Sequence, residues 1–119
     1  MHYSTSTVYD ILVDQGATLN RALFLKNSAK KPVTLTGYIG RMHIRDYVDS
    51  SIIVRTLSSA NSGIMIDGLT GRVDIFMRPS DTAVLTDKNY VYDLELESPQ
   101  GEVTKVVSGK ITVRAEITY

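Results

Sequence analysis

The 119-residue chain contains no cysteine. That excludes disulfides, thiolate metal sites and cysteine nucleophiles together, and it fits a reducing compartment. An excess of charge of one sign is also missing. Thirteen Lys and Arg balance thirteen Asp and Glu, so no net field draws the protein to nucleic acid or to a membrane. Apolar runs last only a few residues, well short of the roughly 20 that a membrane-spanning helix needs. The start, MHYSTSTVYD, has neither the basic opening nor the apolar centre of a signal peptide. The expectation is a soluble protein with no nucleic-acid or membrane partner and no cofactor, made in the cytoplasm.

Catalytic patterns are missing too. There is no Gly-x-Ser-x-Gly elbow, no lysine-activated serine, no Walker-type loop and no dinucleotide fingerprint. The two histidines, His2 and His43, lie far apart without HxH or HExxH spacing, which argues against zinc. Asp46, Asp49, Asp67, Asp74, Asp81 and Asp87 sit mostly at turns, where carboxylates accept backbone N–H bonds. The segment DYVDS lacks the ligand register of a calcium loop. An enzyme is not expected, and neither a catalytic nor a metal-binding residue is assigned.

What the chain does contain is strand pattern. In 88–119, Tyr90, Tyr92, Leu94 and Leu96 alternate with Val91, Asp93, Glu95 and Glu97, which describes a strand with one buried and one wet face. A turn at 98–101, a strand at 103–107, a break at Ser108-Gly109 and a strand from 110 to about 118 follow, the last with Ile111, Val113, Ala115 and Ile117 inward. Earlier strands are expected at 8–13, 17–26, 33–45, 51–57, 64–66 and 72–77. Arg21 disturbs the apolar face of Leu19, Leu23 and Leu25, and Gly37 and Gly40 suggest an irregularity inside 33–45. A hairpin connection is expected at 67–71. One short helical turn is expected near 79–85, capped by Ser80 or Asp81. Eight or nine short strands with no helical-length segment predict an all-β fold, an antiparallel β-sandwich of immunoglobulin-like or jelly-roll-like type. Residues 1–7 are expected to form a flexible arm and 8–119 a single domain.

Two sets of residues invite a functional reading. Arg41, His43 and Arg45 share one strand face, either as an anion or nucleic-acid contact, or as a solvated outer face or a set of partners for the acidic strand at Glu95 and Glu97. Seven tyrosines outnumber two phenylalanines. Tyr38, Tyr90 and Tyr92 suit the sheet, whereas Tyr3, Tyr9, Tyr47 and Tyr119 suit an interface, where such rings are common.

The order Leu35-Thr36-Gly37, Gly71 before 72–77, Thr82-Ala83-Val84-Leu85, Tyr90-Val91-Tyr92-Asp93-Leu94-Glu95-Leu96, Gly101-Glu102-Val103 and Gly109-Lys110-Ile111-Thr112-Val113 resembles small β-sandwich virion proteins of tailed bacteriophages. That family includes attachment domains of tail-fibre and baseplate proteins. The resemblance covers the chain from about residue 8. It implies a structural protein of the virion that works through protein–protein contacts with other virion proteins, in many copies within a symmetric assembly. Because the domain closes at residue 119, an adaptor of the tail or baseplate is expected. A head decoration or head–tail joining protein is the alternative, and a carbohydrate-binding module built on exposed tyrosines is a further one. The candidate interface comprises Tyr3, Tyr9, Tyr47, Asp93, Glu95, Glu97 and Tyr119.

Overall fold

The computed structural model describes residues 7–115. Nine strands and one short helix follow in the order β1 (Thr7–Val8), β2 (Ile11–Asp14), β3 (Leu19–Phe24), β4 (Ile39–Arg45), β5 (Arg55–Ser58), β6 (Ile64–Asp67), β7 (Arg72–Met77), α1 (Pro79–Ala83), β8 (Asn89–Glu97) and β9 (Val103–Arg114). They form two sheets. One has the order β1-β9-β8-β4-β5, with β2 also on β9, and the other has the order β3-β7-β6. The predicted β-sandwich is therefore present.

Alternation builds the core. Met42 and Ile44 of β4, Leu94 and Leu96 of β8, Ile111 of β9, Leu19 of β3 and Val73 and Ile75 of β7 are all fully buried. These aliphatic faces meet between the sheets, as expected for strands with one apolar side. Tyr90 and Tyr92 are buried with them. The Tyr90 hydroxyl accepts the Thr86 N–H at 2.9 Å, so a buried ring at the start of β8 ties down the preceding turn. This is the arrangement called a tyrosine corner.

Several boundaries differ from the sequence reading. The segment 103–114 is one continuous strand, in which Ser108 and Gly109 pair with Asp93 and Tyr92. Gly109 is required there by close approach rather than by a turn, because a Cβ would overlap the Tyr9 carbonyl of the crossing N-terminal segment. Val106 and Val107 are both buried. The register shifts between Leu94 and Glu95, so the strand carries a bulge at this point. Ala115 is exposed rather than inward, and Ile117 and Tyr119 lie outside the described residues.

The stretch 33–45 is strand only from Ile39. Gly37, at φ 80°, turns the chain after the buried Val33 and Leu35. Likewise 51–57 becomes strand only at Arg55. The helix has Arg78 as its N-cap with no side-chain cap bond and begins on Pro79, whose missing N–H costs nothing in the first turn. Neither Ser80 nor Asp81 caps it. Asp81 instead pairs with Arg55 at 2.7 Å and with Arg78 at 3.5 Å. Thr82 is buried, and its hydroxyl donates to the Ala17 carbonyl at 2.7 Å.

The sandwich is not purely antiparallel. Both β1 and β2 run parallel to β9, breaking at Tyr9 and Asp10. Thr7, grouped with the arm in the sequence reading, pairs with Val107.

Candidate functional site

The outward residues of β4 and β8 come together as the register requires. Arg41 lies opposite Glu95, and His43 opposite Asp93. Arg41 holds Glu95 at 3.2 Å and Glu97 at 3.1 Å. Arg45 lies 3.7 Å from Asp93, and Lys105 of β9 reaches the same oxygen at 3.8 Å. The hydrogen bond to Glu97 is the main reason that the Arg41 guanidinium titrates above its ordinary value. Of the readings of Arg41, His43 and Arg45, pairing with the acidic strand is the one the geometry shows for Arg41 and Arg45. Asp93, Glu95 and Glu97, three of the candidate interface residues, take part in this half-exposed ladder.

One end of the ladder opens into a groove of about 690 Å³ on the outer face of the larger sheet. Its floor includes His43, Val91 and Asp93, and its sides are supplied by Val8 and Asp10 on one flank and by Val48 and Asp49 on the other. Asp10 is not free, since its Oδ1 accepts the Lys110 N–H at 2.9 Å. Beneath it the Tyr92 hydroxyl donates to the Tyr9 carbonyl. Burial, with smaller contributions from Tyr9 and Asp10, pushes the Tyr92 phenol well above its ordinary value. Among the described residues no group of three or more His, Cys, Asp and Glu could hold a metal ion.

The connection from β4 to β5 walls the groove and carries an apolar display. Tyr47 (65% exposed), Val48 (70%) and Ile52 (69%) stand out, with Ile53 and Val54 less so. The loop is held rather than loose. Lys88 Nζ lies 2.7 Å from Asp46 Oδ1, Ser50 N donates to Tyr47 O at 3.2 Å, and Val54 N donates to Ile44 O at 2.7 Å. Asp49 takes a left-handed φ of 66°, a conformation that Asp tolerates better than most residues.

Of the four candidate tyrosines, two fall within the described residues, on different elements. Tyr47 is on this loop, and Tyr9 is half-buried beside β9. Tyr3 and Tyr119 lie outside the described residues. Val48 and Lys110, which shape the groove, escaped the sequence reading because they come from elements far apart in the chain. The apolar residues on either side of Asp49-Ser50-Ser51 were the available signal, although 46–51 reads from sequence as a turn or loop and 51–57 as a strand.

With β3 next to β7 in one sheet and β9, β8 and β4 adjacent in the other, the fold is an immunoglobulin-like β-sandwich rather than a jelly roll. No protein-family model matches the chain, and no curated protein matches it. Among solved structures it is similar to Drosophila OTK, extracellular domains 3–5, at 10% identity and a TM-score of 0.39, over 93% of this chain and 35% of that one. The chain thus spans about a third of that structure's length. A likeness of this size carries no argument about function.

Proposed function

We propose that the protein is a non-enzymatic structural component of a bacteriophage virion, an adaptor of the tail or baseplate that acts through contacts with other virion proteins. The observation that carries the contact reading is the concentration of exposed Tyr47, Val48, Ile52, Ile53 and Val54 on one braced connection. Apolar side chains clustered in solvent mark surfaces that a partner covers. The groove beside them adds paired charges that would set register more than affinity. The assignment to a phage is supported by the sequence resemblance, which covers the chain from about residue 8.

The test is fractionation of particles from a phage that encodes this chain, followed by mass spectrometry of purified tails and heads. The reading expects the chain at constant stoichiometry in tails. Its presence in heads alone would favour the head decoration or joining role, and its absence from particles would end the virion reading.

A further inference from the structure

We infer that β3 is a self-complementary sheet edge, through which two copies of this chain pair antiparallel about a two-fold axis at Ala22. The inference does not depend on the virion reading, because it concerns the isolated protein.

The hydrogen-bonding parity of β3 follows from its neighbours. Leu25 N donates to Gly71 O at 2.9 Å, just beyond the paired ends of β3 and β7. Alternate residues of an antiparallel strand bond to the same neighbour, so Leu19, Arg21 and Leu23 direct their backbone groups to β7. Asn20, Ala22 and Phe24 direct theirs to the other edge, where among the described residues no strand pairs with β3. Among the described residues β3, at six, is the longest of the strands at the sheet edges, since β1 has two and β2, β5 and β6 have four each.

Edges are normally blunted by proline, outward lysine or a cover. β3 contains no proline or lysine, and its outward side chains are Asn20, Ala22 and Phe24, with Phe24 57% exposed. One guanidinium spans this edge and that of the larger sheet. Arg21 donates to the Leu12 carbonyl of β2 at 2.8 Å and to the Asn20 carbonyl at 3.2 Å. The Asn20 oxygen keeps a second lone pair for a further donor.

A strand that meets this edge must present outward groups at the same alternation, and a second β3 does so. With Ala22 on the axis, Ala22 faces Ala22 of the second copy and Asn20 faces Phe24 of the second copy. All these pairs are of the hydrogen-bonded kind, giving about six bonds at two per pair. Arg21 then faces Leu23 of the second copy. Moving the axis to Arg21 would set two guanidinium groups opposite each other, which like-charge repulsion disfavours, and moving it to Leu23 leaves Asn20 unpaired. Ala22 on the axis is also the smallest side chain available there.

Because the chain has no cysteine, single-cysteine variants give a clean test. Opposite residues of a hydrogen-bonded pair have Cα atoms about 5.5 Å apart, within reach of a disulfide. Ala22→Cys should therefore form a disulfide-linked dimer under air oxidation, and Asn20→Cys, displaced from the axis, should form no interchain disulfide while it still sediments as two chains. Ala22→Lys should sediment as a single chain with an unchanged circular dichroism spectrum, whereas the unsubstituted protein sediments as two. Equal cross-linking of both cysteine variants, or a monomeric unsubstituted protein, would overturn the inference. A monomer in solution that is still found in tails would leave the proposed function standing.

Discussion

The guanidinium of Arg21 lies 2.8 Å from the carbonyl oxygen of Leu12, bridging the edges of the two sheets. In the sequence Arg21 is the residue that spoils the apolar face of β3. In the fold it belongs there, because its head reaches the carbonyls of Leu12 and Asn20 at the margin of the sandwich. Arg21→Ala should lower stability by about 1 kcal/mol, the scale for a partly exposed charge-assisted bond. Urea unfolding at one fixed protein concentration measures this, and an unchanged midpoint would show that the bridge contributes nothing.

Gly109 holds the N-terminal segment against β9. A Cβ at that position has no room beside the Tyr9 carbonyl, so Gly109→Ala should push β1 and β2 away from their parallel pairing. The expected loss is roughly 1–3 kcal/mol, as for overpacking elsewhere. Hydrogen exchange should quicken at the amides of Tyr9 and Lys110, which bond across this junction.

The Tyr92 phenol gives an alkaline limit to stability. Its folded-state value is raised above the ordinary 10.0, with burial as the main cause. The folded state therefore holds its proton where the unfolded state has lost it. The contribution is complete below the unfolded value and disappears as pH rises towards the folded one, so stability should decline from about pH 10 upwards. Tyr92→Phe should flatten that decline and cost about 1 kcal/mol at neutral pH through the lost bond to Tyr9. Thermal melts of both proteins between pH 8 and 11 (a range set by the ordinary tyrosine value) provide the comparison.

The ion-pair ladder should matter less. Arg41 and its two carboxylates are each about a third exposed, so Arg41→Ala should cost well under about 1 kcal/mol and less still in high salt. A loss that persists in molar salt would mean that the stem packs more than the charge pairs.

How much of this was legible depends on where each residue finds its partner. β8 could be read almost residue by residue, because Tyr90, Tyr92, Leu94 and Leu96 face the core while Asp93, Glu95 and Glu97 do not. The pairing of Arg41 with Glu95 and Glu97 was also open to view as one of several alternatives. Ser108-Gly109 looked like a break because the group that demands a glycine, the Tyr9 carbonyl, arrives from about a hundred residues away. Residues 51–54 looked like strand because β-branched side chains favour strands. Instead, the Ser50 hydroxyl accepts the Ile52 N–H at 3.2 Å and the chain stays outside the sheet until Arg55. The groove could not be read at all, since Val8, Val48 and Lys110 share nothing in sequence.

The claim that this protein works through the apolar connection at 47–54 is tested most directly by incorporation of a Val48→Asp, Ile52→Asp double variant into phage particles. Both side chains are about 70% exposed, so the isolated variant should fold and melt like the unsubstituted protein. In particles it should be lost from purified tails. Incorporation at the normal level, with the fold intact, would contradict the claim.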